Sequence, residues 1–580
     1  MIMQNNRREK YIKLRSIIAW VMILMLVFSV AACTDVGDVT GGTEEGGTES
    51  TENTDGAETV SVNCITFSEP SGFYDEAFEL TITAEQGDTI YYTLDGSMPT
   101  TESAVYSGPI TIDDASKNEN VYCMRDDTSV YFMLGTYHLP DVTIDKCNVI
   151  RAAVFDEAGN LLQEKYASYF VGFQDKEGYQ NMSFVSLITD PDNMFDNETG
   201  IYVLGKTYND ALEAGVDMGE NERYWPANYR EKGREWEREA YMTVFSPEKE
   251  LLMDQKIGVR IKGHGTRVCL PKSFNLYARK EYGNNHFEAD LPKVGYESKK
   301  LALYGAGNDR AKIKNVLAAE LTADLNVANL SYEPCVVFLD GEYWGVYWIT
   351  DKFDNLYFKN HYGMDKDNLV YIKGGELEIG EEGDFQIYED FVDFCESNDM
   401  SDPANYEAFK SMVDMESFLD YYATEVYLAN HDWPSTNFGL WRSREPGDSE
   451  YADTKWRWTL FDTDEDCMDQ WYADYDSIEH AKERDVIFNS LCDNAEFRQV
   501  FSERLILFSK TVYAPETVQP VLDKYVNLMF YPIELETERY NFGEEEVAWQ
   551  RGEYMRGFFE KRPESIKEII ESNFPDVTVE

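Results

Sequence analysis

From about Cys64 to Phe173, apolar and polar residues alternate in short runs broken by turn signals, the period-two pattern of strands with one buried face. The runs FELTITA, TIYYTLDGSMPT, GPITID and VIRAAVFDEAGN predict a small antiparallel β-sandwich over residues 63–174, with Asp95-Gly96 as a tight turn. Tyr91, Tyr92 and Tyr106 are expected in its core rather than on a sugar-binding platform. An insertion from about Asp113 to Cys147 interrupts the alternation.

From about Met182 strand and helix patterns mix. SFVSLI, KIGVRIKG, KSFNLYARK and the apolar runs flanking Asp340-Gly341 read as strands. Ile313, Val316, Leu317, Leu321 and Leu325 recur at helical spacing after Asn308 or Asp309, either of which can cap the helix. A second helical pattern, Phe409, Met412, Met415, Phe418, Leu419, Tyr422 and Val426, delivers the chain to His431-Asp432. In KWRWTLFDTDED, residues Trp456, Trp458, Leu460 and Asp462 share one strand face, with Asp464 on the same side. From Ser477 onward the pattern is amphipathic helix. The fold class is α+β: the sandwich, a mixed domain over residues 175–535, and a helical extension over 536–580.

The amino terminus departs from both patterns. Arg7, Arg8, Lys10, Lys13 and Arg15 precede the apolar run Ile17 to Phe28, and small residues lead to Val30-Ala31-Ala32-Cys33. This resembles a bacterial lipoprotein signal over residues 1–32, with Cys33 as the acylated residue. It implies an exported protein, lipid-anchored to the outer face of the cytoplasmic membrane. Residues 33–62, rich in Gly, Thr and Glu, are expected to be an extended acidic tether.

Charge then narrows the partners. The formal net charge of −56 repels nucleic acid and anionic lipid headgroups, and is compatible with a protein partner. The cysteines after Cys33 are irregularly spaced, without C-x-x-C or H-E-x-x-H, which argues against structural zinc. Export permits disulfides, and Cys64, Cys123 or Cys147 are candidates to pair.

The candidate chemistry is phosphoryl transfer. Asp432, Asn437 five residues later, and Asp462 some thirty residues on supply a carboxylate to orient a hydroxyl and two oxygen ligands for Mg²⁺ on a nucleotide. Asp464 competes with Asp462 for the metal role. Gly263 and Gly265, between two strands, suit a loop over phosphates, and Lys272 starts the second strand. Glu320, beside the apolar face of its helix, calls for a cationic partner such as Lys272.

The order of these blocks resembles the spore coat protein H (CotH) kinase-like family. VSLITDPDNMFDNETGIYV, GVRIKGHGTR followed by PKSFNLYARK, FLDGEYWGVYWITDKFD, NHDWPSTNFGLWR and KWRWTLFDTDED stand in that family's order, over roughly Met182 to Val526. The resemblance implies an atypical protein-kinase-like domain that uses ATP and Mg²⁺ to phosphorylate Ser of coat proteins. It implies Asp432 as the catalytic carboxylate, Asn437 with Asp462 or Asp464 at the metal, and Lys272 with Glu320 at the phosphates. The loop reads Gly-His-Gly-Thr where many members have Gly-Asn-Ser-Ser. YYTLDGSMPT, AVYSGPITI and IRAAVFDEAGN resemble the chitobiase/β-hexosaminidase carboxyl-terminal module, which implies a spacer or a glycan- or wall-binding role for residues 63–174. The alternative is a non-catalytic surface or spore-coat scaffold. A glycosidase using paired carboxylates is a third reading, prompted by the chitobiase-like module.

Overall fold

The computed structural model describes residues 65–85, 88–130, 139–541 and 552–579. The leader, Cys33 and the acidic tether lie outside the described residues.

The alternating runs form strands. A five-stranded sheet has the order Gly72–Tyr74, Leu161–Val171, Asn148–Phe155, Ile90–Thr93, Ala104–Val105. Two small pairs, Thr66–Phe67 with Ile82–Thr83 and Phe78–Leu80 with Ile110–Ile112, pack on it around Ile150, Ala152, Val154 and Tyr169. Tyr92 and Tyr106 pack on this core, and Tyr91 meets Phe155 edge to face.

The second face of that sheet is also buried. Along Leu161–Val171, Ala167, Tyr169 and Val171 enter the sandwich core, while Tyr166 and Phe170 enter the core of the following domain. The Phe170 ring lies 5.0 Å from Phe338 and 5.4 Å from Phe184, and Ser168 Oγ bonds Ser186 Oγ at 2.8 Å. The insertion supplies further contacts. The buried Glu342 carboxylate accepts the amides of Val121 and Cys123 at 2.6 and 2.7 Å, and the Ser129 hydroxyl donates to the Val268 carbonyl at 2.6 Å. All described residues fall in one compact unit.

Seven strands then close into a barrel in the order Ser183–Ile188, Arg238–Phe245, Leu251–Ile261, Phe274–Tyr277, Lys300–Tyr304, Glu342–Thr350, Tyr332–Leu339, the first and last pairing in parallel. The helix Pro515–Tyr540 braces the barrel: its Glu536 meets Lys312 at 2.8 Å and accepts the Val346 amide.

A second sheet, ordered Glu376–Ile379, Leu369–Lys373, Gly439–Ser443, Arg457–Thr459, is packed by helices including Pro403–Met412, Met415–Leu428 and Ala495–Lys510. The pattern ending at Val426 is thus two helices, broken where Asp414 caps the second through the Ser417 amide at 3.1 Å. The shared face expected for Trp456 through Asp464 stops short. The strand ends at Thr459, and Asp462 has φ 54°, so the period-two rule does not extend to the two carboxylates. The seven described cysteines, Cys123 and Cys147 among them, are buried and unpaired.

Candidate functional site

Between barrel and second sheet lies a cleft. Asp351–Asp354 crosses it, joining the strand Glu342–Thr350 to the helix Asn355–Tyr362. Its inner part, about 120 Å³, has apolar walls of Leu330, Tyr332, Phe353, Tyr371 and Phe461, and a polar end at Lys262, Lys373 and Asp462. It opens beside a hollow of about 470 Å³ that shares Lys352, Phe353 and Glu378.

Asp432 stands on the loop after the helix Met415–Leu428. His480 Nε2 donates to the Trp433 carbonyl at 2.6 Å, and His431 Nδ1 donates to the Asp466 carbonyl at 2.7 Å, tying this loop to the acidic one. Asp432 is exposed on this loop. Partial burial, then Glu465 and Asp466, push its carboxyl above the usual range, Arg223 opposes them, and Asp462 adds a smaller push. A carboxylate so placed suits proton acceptance from a hydroxyl.

The acidic loop is strained and heavily anchored. Asp462, Asp466 and Met468 all have positive φ, conformations that persist only when neighbours fix them. Asn315 Oδ1 accepts the Thr463 amide and hydroxyl, Arg223 pairs with Glu465 at 2.7 Å, and Lys314 pairs with Asp469 at 2.9 Å. The Tyr304 hydroxyl donates to Asp464 and accepts from Asn315 Nδ2 at 3.0 Å. Burial and the Asp462 charge push the buried Asp464 carboxyl up. Behind Asp462, Asn430 Nδ2 donates to Glu425 at 2.9 Å, and burial pushes that carboxyl up to about 8.

The donor set fits the groups expected there. Carboxylate and carboxamide oxygens suit a hard divalent cation, ammonium groups suit phosphate, and an aromatic-walled slot suits a base. Among the described residues no three His, Cys, Asp or Glu side chains form a ready-made cage. Asp462, Asp464 and Asn437 are the oxygen donors expected from the sequence, the first two on one loop and Asn437 before the strand Gly439–Ser443.

The family model described as CotH kinase protein matches residues 259–566, just over half of the chain. The chain belongs to the CotH kinase protein family. The Chitobiase/beta-hexosaminidase C-terminal domain model matches residues 69–132. No curated protein matches the sequence.

Within this CotH domain the expected residues fall into two groups. Asp432 stands on a loop tied to the one that carries Asp462 and Asp464, and of the three Asp462 lines the cleft. Asn437 is half-exposed, with its Oδ1 accepting from Thr436 Oγ1 at 3.3 Å, and it stands just before the strand Gly439–Ser443. Lys272 does not reach the cleft. Its ammonium is fully buried, donates to the Arg267 carbonyl at 2.6 Å and lies 3.7 Å from the Tyr229 ring centroid. Glu320 bonds Lys524 at 2.6 Å and the Tyr525 hydroxyl, far along the chain from Lys272. The expected Lys272–Glu320 pair is therefore corrected to two separate structural contacts. Gly263 and Gly265 open a 3₁₀ turn, Gly265–Val268, in which the Gly263 carbonyl accepts Arg267 Nε at 2.7 Å. A Cβ on Gly265 would come within 2.9 Å of Arg223, so this glycine serves close packing.

The cleft residues missed from sequence are Lys262, Tyr304 and Asn315. Lys262 directly follows the strand Leu251–Ile261 and precedes Gly263. Burial lowers its pKa, while Asp462 and Asp464 oppose. Its position before the loop glycine was a usable signal; Asn315, one turn of helix before Glu320, carried none.

Proposed function

We propose that this CotH domain is an extracytoplasmic Ser/Thr protein kinase that transfers the ATP γ-phosphoryl group to a protein hydroxyl with Mg²⁺. The observation that carries this reading is that Asp462 and Lys262 line one cleft, with the Asp432 carboxyl near enough to feel the Asp462 charge. Bound Mg-ATP supplies the transferable phosphoryl group. Asp432 orients the acceptor hydroxyl and takes its proton. Asp462 or Asp464, with Asn437, holds the cation, and Lys262 offsets phosphate charge. Leu330, Tyr332 and Phe353 wall the base and exclude water. The acceptor is a coat or surface protein.

The decisive experiment is phosphoryl transfer by the full chain, with thermal shift on Mg-ATP. Binding that survives in Asp432→Asn while autophosphorylation disappears supports the reading; no binding at millimolar Mg-ATP overturns it. A lipoprotein-type amino terminus supports location on the outer membrane face through acyl chains on Cys33. Mass spectrometry of membrane-extracted protein checks this: an unmodified Cys33 rejects the anchor.

The scaffold reading, with glycan or wall held by residues 63–174, stands second. The three tyrosines that would make a sugar platform there are half-buried and packed.

A further inference from the structure

The hairpin Leu369–Lys373 with Glu376–Ile379 turns at Gly374-Gly375, where φ of 57° and 81° demands glycine. It is the outermost pair of the second sheet, and its position is fixed by register. Lys373 pairs with Gly439, the second residue after Asn437, and Gly439 pairs with Thr459, three residues before Asp462. One row of the sheet therefore crosses from the hairpin turn to the approaches of both proposed metal-binding positions.

Gly439 is needed in that row. A Cβ there would lie 2.3 Å from Thr459 Oγ1 and 3.1 Å from the Phe461 ring. With no side chain at 439, Phe461 lies against the row, and the Lys373 ammonium rests 4.5 Å from its centroid, beside Asp462. On the barrel side Lys262 rests 5.2 Å from the Tyr304 centroid. Among the described residues neither lysine has a carboxylate within ion-pair distance or a hydrogen-bonded side-chain partner. Their counter-charges are at longer range: Asp462, Asp351 and Glu378 line the same cleft, and Asp462 and Asp464 act on Lys262 through space. Lys352, bonded to Asn275 Oδ1 at 2.6 Å, is a third cation on the same wall, and burial with the nearby lysines lowers its pKa to about 7.

We propose that the Leu369–Ile379 hairpin is a nucleotide-holding element and that Lys373 binds the polyphosphate from the side opposite Lys262. This rests on the nucleotide reading above.

The probes are ATP and inorganic tripolyphosphate, titrated calorimetrically into the full chain. Wild type is expected to bind both. Lys373→Ala is expected to weaken both about tenfold or more, as loss of a charge-assisted contact does, with Lys373→Arg recovering most of the affinity. Lys366→Ala, at the rim and 3.5 Å from Asp367, is expected to bind as wild type. Unliganded melting of Lys373→Ala should match wild type, because the side chain is exposed. Equal affinity of Lys373→Ala and wild type overturns this inference alone. Wild type that binds neither probe overturns the nucleotide reading with it, before any variant is compared.

Discussion

Asn315 Oδ1 accepts the backbone amide of Thr463 at 2.7 Å and its hydroxyl at 3.1 Å. A neutral carboxamide on the helix Lys314–Leu321 thus fixes the loop that carries Asp462 and Asp464, the task expected of an ion pair. Asn315→Ala leaves a buried amide and the Tyr304 hydroxyl short of partners. We expect a stability loss of about 1–3 kcal/mol together with weaker nucleotide binding, read by denaturation and calorimetry. Asn315→Asp keeps the acceptor but cannot donate to Tyr304, so its deficit should be partial. Unchanged stability in Asn315→Ala would refute the anchoring role.

Asp432→Asn is expected to lower phosphoryl transfer by about 10²–10⁴-fold with little change in the Mg-ATP thermal shift. Asp462→Ala is expected to lose both, since its oxygens are proposed to hold the cation. Radiolabel transfer and melting curves on the same preparations separate the two roles.

Lys272→Met tests whether the buried ammonium serves the fold rather than phosphate. The buried ammonium satisfies the carbonyls of Arg267 and Val268, so its loss should cost about 1–3 kcal/mol of stability while ATP affinity stays at the wild-type value. A selective fall in ATP affinity would restore Lys272 to the cleft.

Glu425 gives a pH prediction. Its carboxyl is buried, Oε1 has no hydrogen-bond partner, and its pKa stands at about 8 against an ordinary 4.5. The native state therefore keeps a proton that the unfolded chain releases. The stabilising contribution is whole below pH 4.5 and is lost as pH rises through about 8. Denaturant titrations should show Glu425→Gln gaining on wild type across that window, by an amount on the order of a few kcal/mol. A difference constant with pH would show that Glu425 is ionised in the folded protein.

Phe170 belongs to the sandwich strand and to the barrel-side core at once. Phe170→Ala is expected to cost about 3–5 kcal/mol and to lower a single melting transition. Residues 63–174 alone would expose the face that Tyr166 and Phe170 bury. Two separated calorimetric transitions would contradict the shared core.

Much of this was legible because burial leaves a period in the chain. The sandwich strands, the barrel strands around Asp340-Gly341 and the helical carboxyl-terminal half follow from apolar spacing, and Asp432 and Asp462 from their order. Long-range pairing was not. Period two assigns residues to faces but does not say that both faces of Leu161–Val171 find cover. Nor does it show that the strand before Asp462 ends in left-handed residues. Lys272 and Lys262 offer the same ammonium ten residues apart, and only the closing of the barrel decides which is sealed inside and which borders the cleft. Asn315 carries no charge or motif, so its role exists only once Thr463 is beside it.

The cation-lined cleft also sets how a nucleotide arrives. An anion approaching a chain of net charge −56 is repelled at long range and meets Lys262, Lys352 and Lys373 only within the last few ångströms, where Asp351, Glu378 and Asp462 stand beside them. Dissolved salt shortens the reach of the first field, to about 10 Å at 0.1 M, more than it weakens the second. Association of ATP should accelerate as ionic strength rises, the reverse of an electrostatically steered encounter. Dissolved salt would then act as the nucleotide's usher.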